Sequence, residues 1–298
     1  MDTLQCYRFV RDDLSSHCGQ VSWTIGEWTK VGGNIACGSH GLHAAVSPRA
    51  SLARVYGRRW FVAEARGEIS HGGSEFAASD MRLVAEIPEI VSRRFAIWCA
   101  EDCLVSFGGK HPENNLLVDC IRATDAYLDG KGGEETLTRA RDAVKGTLGS
   151  SAARGPTARA IAAVLAAATA ASAGNAGAWT SAAAAAGYAS HLSKVAHASV
   201  IAAKDAHEGA DNVASLARAA AATELAAAHA RQAAAAGATA HAAAVSAARD
   251  VPLPDTAADA LYSAFAAYTS TPHDAYYSVQ NDKLLELIAQ NCSLVRRD

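Results

Sequence analysis

The chain has 298 residues, half of them hydrophobic, with 27 basic and 30 acidic side chains and a formal charge of −3. That length suffices for one large or two ordinary domains with a buried core, and the near balance of charge argues against a nucleic-acid partner, which needs a basic patch. Seven scattered cysteines, and an opening MDTLQCYRFVRDD without a basic end and an apolar run, fit a reducing cytoplasm better than a disulfide-built secreted protein.

Taken in order, residues 1–88 read as a small mixed α+β domain. Residues 5–10, QCYRFV, form a short strand that ends at Arg11-Asp12-Asp13. Residues 21–28 form another, interrupted by Gly26, and residues 35–37 a third that runs into the turn at Gly38–Gly41. Pro48 opens a short helix over 48–56. Residues 59–69, RWFVAEARGEI, give the clearest strand, with Gly67 marking a bulge. His71-Gly72-Gly73 is a loop, and residues 79–87 are the last strand.

From Pro88 the apolar period changes from two to three and four, and residues 89–298 read as an all-helical domain. One helix carries Phe95, Trp98 and Cys99 and stops at Gly108-Gly109; a second, opened by Pro112, buries Leu117, Cys120 and Ile121 and closes at Gly130; a third covers 134–148. Residues 151–249 are alanine-rich, with breaks at Gly155-Pro156, Gly174 to Gly177, Gly209 and Gly237 that mark three or four antiparallel helices. The apolar run at 160–173 is interrupted too soon to give the roughly 20 residues of a membrane span. After the rigid Pro252-Leu253-Pro254 come two further helices within 255–292, the last capped by Asn281 or Asp282.

The densest chemistry lies between Trp23 and Tyr56. Cys37-x2-His40-x2-His43 has the residue types and short spacing of zinc ligands, with Cys18 or His17 as a fourth. The same residues also suit a metal-free turn between two strands, since structural zinc sites normally pair two such knuckles. Trp23, Trp28 and Trp60 serve equally as core aromatics or as anchors for a partner. Cys99 and Cys103 have acidic neighbours, which disfavours a reactive thiolate. The histidines of the alanine-rich part do not recur at four residues, and no GxGxxG, P-loop or GxSxG is present.

Three resemblances add to this reading. Tyr7, Gly26 and Trp28 in TIGEW, Cys37, Gly41, Leu42, His43 and Ala44 in CGSHGLHAA, and Glu64 and Gly67 in VAEARGEI resemble a small domain found mostly in phage and bacterial mobile-element proteins, for which no activity is established. Trp98, Cys99, Ala100, Glu101 and Leu104, then Ile121, Ala126, Leu128 and Gly130, then Gly187, Tyr188, Ala189 and His191, resemble helical immunity proteins of the polymorphic-toxin type, which implies action by binding. The order Tyr7-Arg8, the strand Gly41 to Ala44 with His43, Tyr56, and Glu64 or Glu68 is similar to ADP-ribosyltransferase-like folds. That similarity implies NAD binding and a glutamate that positions the ribose, because an oxocarbenium-like centre needs a nearby carboxylate.

The expectation is therefore an α+β architecture: a mixed domain followed by an alanine-rich helical bundle, in a cytoplasmic protein. The leading function is non-catalytic binding of another protein, of immunity or anti-defence accessory type, without cofactor or metal, through Trp23, Trp28, Cys37, His40, Gly41, His43 and Tyr56. The alternatives are a transferase built on Arg8, His43, Tyr56, Glu64 and Glu68, and a phage structural or assembly component.

Overall fold

A computed structural model describes residues 3–16, 19–52, 59–105, 114–147, six helical positions between 164 and 172, and 274–292. Most of the alanine-rich part, and Tyr56, His17 and Cys18, lie outside these residues.

The amino-terminal part is an antiparallel sheet of β1 (Leu4–Val10), β2 (Thr29–Lys30), β3 (Leu42–Ala45), β4 (Arg59–Gly72) and β5 (Glu75–Glu86), with a four-residue helix α1 (Pro48–Ser51) between β3 and β4. The strand order is β2-β5-β3-β1-β4, and β4 also pairs with β5. That extra pairing closes β1, β3, β5 and β4 into a ring. The interior holds Cys6 and Val10 of β1, Leu42 and Ala44 of β3, Phe61, Ala63 and Ala65 of β4, and Phe76, Ala78, Met81 and Leu83 of β5, with Trp23 from the β1–β2 connection. On β1, β3 and β4 these residues alternate, as one buried face of a strand requires.

Closure needs a sharp curl in the β4–β5 hairpin. The ladder shifts register between Arg66 and Ile69. Gly67 sits there at φ +82, and a Cβ on it would run into Ser79 Oγ and meet Asp80 Oδ2 at 2.9 Å. The backbone N–H of Glu68, displaced from the ladder, donates to Ser79 Oγ at 3.1 Å. The bulge expected at Gly67 is present, with its spare donor satisfied.

Two stretches differ from the sequence reading. Residues 21–28 do not form a strand: Ser22 makes one bridge to Ser15, and Gly26, at φ +87, donates its N–H to Leu83 O. The chain turns there, and regular pairing resumes only in β2. Residues 35–37 likewise make a single bridge, Ala36 to His40. Conversely, β5 begins at Glu75, four residues before the expected start.

Helices follow at α2 (Glu89–Val105), α3 (Asn114–Leu128) and α4 (Glu134–Gly146), and a last helix, α5, spans Asp274–Asn291. Val91, Phe95, Ala96, Cys99 and Ala100 on α2, Leu117, Cys120 and Ile121 on α3, and Leu137 and Val144 on α4 are buried, so the three- and four-residue spacing marks the inward faces. The fold is α+β. The chain divides into two compact units, with the boundary inside α2 between Phe95 and Ala96. One unit contains the sheet, α1 and α5; the other contains α3 and α4. The sequence division at residue 88 gave no hint of α5 in the sheet unit.

Substituting Gly67→Ala forces a left-handed backbone on an L-residue and drives its Cβ into Ser79. The expected loss is about 2 kcal/mol of unfolding free energy, measurable by denaturant titration, with Gly73→Ala as a comparison at a positive φ that meets nothing within 4 Å.

Candidate functional site

β3 pairs with β5 along its whole length but with β1 only at Tyr7–Ala45. It then turns into α1, where Ser47 Oγ accepts from the Ala50 N–H at 3.1 Å. The two strands part after one rung and leave a seam. Arg8 spans it: its Nη1 donates to the His43 carbonyl, replacing a missing ladder bond with a side chain. The guanidinium lies over the Trp23 ring, 4.9 Å from its centroid, so the indole face compensates part of the charge.

A cavity of about 300 Å3 opens along this seam. Its walls include Tyr7, Arg8 and Phe9 of β1, Gly41, the His43 segment of β3, Ser51 of α1 and Glu75 at the start of β5. Glu75 is 9 % exposed. Tyr7 is buried and its hydroxyl accepts from Gln5 Nε2 at 2.8 Å; burial raises its pKa, with the Gln5 bond acting the other way. The volume sits at the small end of the range for ligand sites, and the mixture of apolar walls with a few convergent polar groups is their usual character.

The Cys37–His43 loop is held by side chains, its own histidines and Ser70 of β4. Gly38 N–H donates to His43 Nε2 at 2.9 Å, which places the proton of the neutral ring on Nδ1. His40 Nε2 lies 2.6 Å from the Gly32 carbonyl and must therefore carry a proton. Cys37 N–H donates to Ser70 Oγ at 3.1 Å. Gly41, at φ +127, passes so close to β5 that a Cβ would meet Ala77 Cβ at 2.9 Å. Among the described residues no group of three histidine, cysteine, aspartate or glutamate side chains is placed to hold a metal ion.

The structure thus brings Tyr7, Arg8, Gly41 and His43 to one cavity and places Trp23, Trp28, Trp60, Cys37, His40, Glu64 and Glu68 outside its lining, while Tyr56 lies outside the described residues. Trp23 is 4 % exposed, inside the ring beneath Arg8. Trp60 is buried, stacks on Phe9 at 5.4 Å and donates from Nε1 to Ser51 Oγ at 2.9 Å. Cys37 is half-buried, and a Cβ on Gly72 would meet its sulfur at 2.5 Å. His40 closes the loop at Gly32. Glu64 pairs with Arg82, Nη2 to Oε2 at 2.7 Å, and Glu68 is exposed at the bulge. Glu75 and Ser51 escaped the sequence reading. The alternation of Phe76 and Ala78 was the available sign that β5 starts early enough to bring Glu75 here. Burial pushes the Cys6 thiol up to about 12, against the lowering effect of Arg8, and the Cys120 thiol up to about 11; neither is a nucleophile near neutrality.

Trp28 belongs to a second surface, on the β2–β5–β4 face. Arg66 lies over its ring at 3.8 Å and Arg82 at 4.9 Å. Arg66 and Lys30 both approach Asp80, at 3.8 and 3.3 Å. These pairs are partly exposed, and each contributes only about 0.2–1 kcal/mol.

Residues 4–92 match the model of DUF7666, a domain of unknown function. The match takes in the whole sheet and the first turn of α2, in agreement with an amino-terminal domain that has no established activity. No match is found among curated proteins or among solved structures. No helix among the described residues is long and apolar enough to cross a membrane.

Burial raises the Asp80 pKa, but hydrogen bonds from Ser79 and Lys30 and the charges of Lys30 and Arg66 outweigh it, and the net shift is downward. A carboxylate with a lowered folded-state pKa stabilises the fold above its unfolded value of about 3.9, and that contribution is lost as pH falls through the folded value. Asp80→Asn is therefore expected to destabilise the chain at pH 7 and to reduce the stability lost on going to pH 3, read from urea midpoints at both pH values.

Proposed function

We propose that the protein is a non-catalytic binding protein of immunity or anti-defence accessory type. The sheet domain carries the recognition site, and the alanine-rich helical bundle expected from the sequence is its scaffold. The observation that carries this reading is how the cavity's polar groups are engaged. His43 Nε2 accepts from a backbone N–H, and Arg8 donates to a backbone carbonyl. Groups tied to the backbone in this way hold walls in shape, whereas an acid–base group must exchange its proton with substrate. Glu64, neutralised by Arg82, and Glu68, exposed at the bulge, stand away from the cavity. The resemblances to immunity proteins and to phage and mobile-element domains support the functional type, and the cysteine usage supports a cytoplasmic setting.

A second reading, an ADP-ribosyltransferase-like enzyme, is favoured by one observation: Glu75 is a largely buried carboxylate on the same cavity as Arg8 and His43. In that reading Glu75, not Glu64 or Glu68, stabilises the sugar centre.

Co-expression with the products of the neighbouring genes tests both. A defined complex, weakened about tenfold by Arg8→Gln or His43→Ala in chains that keep their melting temperature, is expected for the first. Release of nicotinamide from NAD that is lost in Glu75→Gln and kept in Glu64→Gln would replace it with the second.

A further inference from the structure

The last helix of the chain closes the first domain, and the way it does so points to a recognition site. Among the described side chains of α5 the buried ones are Gln280, Leu284, Leu287, Ile288 and, just beyond the end, Cys292. Their three- and four-residue spacing makes a single stripe, while Val279 and Leu285 stay exposed at 47 % and 38 %. At one end the stripe meets α1. Arg49 is fully buried, its Nε donates to Gln280 Oε1 at 2.6 Å, and its backbone N–H donates to Asn281 Oδ1 at 3.3 Å. At the other end Cys292 Sγ lies 3.8 Å from the Glu86 carbonyl.

A buried guanidinium tolerates only an occupant that supplies acceptors. Here the Gln280 carboxamide supplies an acceptor to the guanidinium and the Asn281 carboxamide one to the Arg49 backbone N–H, which is a more selective demand than apolar packing. The helix comes from a point more than 200 positions further along the chain: Arg49 and Gln280 are 231 apart. The family match ends at residue 92 and does not include it. The groove and its occupant are thus separate pieces of sequence, and residues of the second compact unit come between them in the chain.

We propose that the groove formed by α1 and the adjoining face of the sheet is a helix-recognition site, and that α5 is its exchangeable ligand. The partner it fits is an amphipathic helix with Gln-Asn at its buried start, followed by Leu, Leu-Ile and a small thiol along the stripe. Occupancy is linked to the cavity. Arg49 and Ser51 lie on the same short helix, and Ser51 both lines the cavity and receives the Trp60 Nε1 bond. An occupied groove therefore fixes one cavity wall.

The test uses the full chain and a labelled peptide of residues 274–298. In the chain with Leu284→Asp and Ile288→Asp the groove is vacated in cis, and the peptide is expected to bind it at least about tenfold more tightly than it binds the unmodified chain. Peptide carrying Gln280→Leu is expected to bind roughly tenfold more weakly, and Gln280→Glu, which keeps the acceptor, to bind about as well as the original. The Trp60 indole N–H resonance, assigned with Trp60→Phe, should move on binding. Equal binding to vacated and unmodified chains, or tight binding of the Gln280→Leu peptide, overturns the proposal. So does loss of the sheet in the vacated chain, because a ligand without which the domain cannot fold is not exchangeable.

Discussion

The β4–β5 hairpin has to serve two neighbours at once. Over its outer length β4 pairs with β1, from Arg59–Val10 to Ala65–Leu4; near its tip β5 pairs with β3, from Leu42–Ala78 to Ala45–Glu75. β1 and β3 meet only if the hairpin curls between these regions, and the register shift after Arg66, with Gly67 in the left-handed region, supplies the curl. The closure it achieves is minimal, a single rung between Tyr7 and Ala45. Edge groups left by such short pairing need side-chain partners, and Arg8 meets that need at the His43 carbonyl. The cavity is thus a consequence of how the ring closes, and its arginine follows from the same geometry.

Where local periodicity and final environment agree, the sequence was readable. The helices α2 to α4 were marked by a period of three and four, whereas β1 and β4, buried on both faces over Cys6–Tyr7, Phe9–Val10 and Trp60–Ala63, were marked as short apolar runs bounded by turns or charge. Residues 21–28 read as a strand interrupted by Gly26, yet Trp23 lies in the ring interior with Val21 packed against it, and Ile25 is 44 % exposed. The backbone instead follows Gly26, whose positive φ breaks the pairing. The early start of β5 was masked by the Gly72-Gly73-Ser74 turn signal. Asn281 read as a helix cap, but its side-chain oxygen accepts from the Arg49 N–H, and the helix begins at Asp274. No local pattern encodes a contact across 231 positions, so neither Arg49 nor the place of α5 was legible.

The crowding of cysteine, histidine and glycine between residues 37 and 43 has a similar explanation. A tight loop leaves backbone donors and acceptors that regular pairing cannot satisfy, and nearby polar side chains take them. His43 accepts where His40 donates, so two histidines three residues apart hold opposite protonation patterns and serve opposite needs. Gly41 is required by the approach to Ala77. Chemistry-bearing residues are dense here because the loop is compact, and of Cys37, His40 and His43 it is His43 that also lines the cavity.

The energetics separate support from recognition. Burying Phe61, Phe76, Met81 or Leu83 in the ring is worth about 1.5–3 kcal/mol each, whereas the partly exposed Glu64–Arg82 and Arg66–Asp80 pairs contribute a fraction of that. The ring's stability therefore rests on its interior. The β1–β3 seam and the α1–α5 groove lie outside that interior and carry buried or half-buried polar groups, Arg8, Glu75 and Arg49, that a purely stabilising design would have replaced with apolar ones. Buried polarity is thus concentrated where strand pairing is shortest and where α5 meets α1, and geometry particular to this fold supplies its partners: the His43 carbonyl for Arg8 and the Gln280 carboxamide for Arg49.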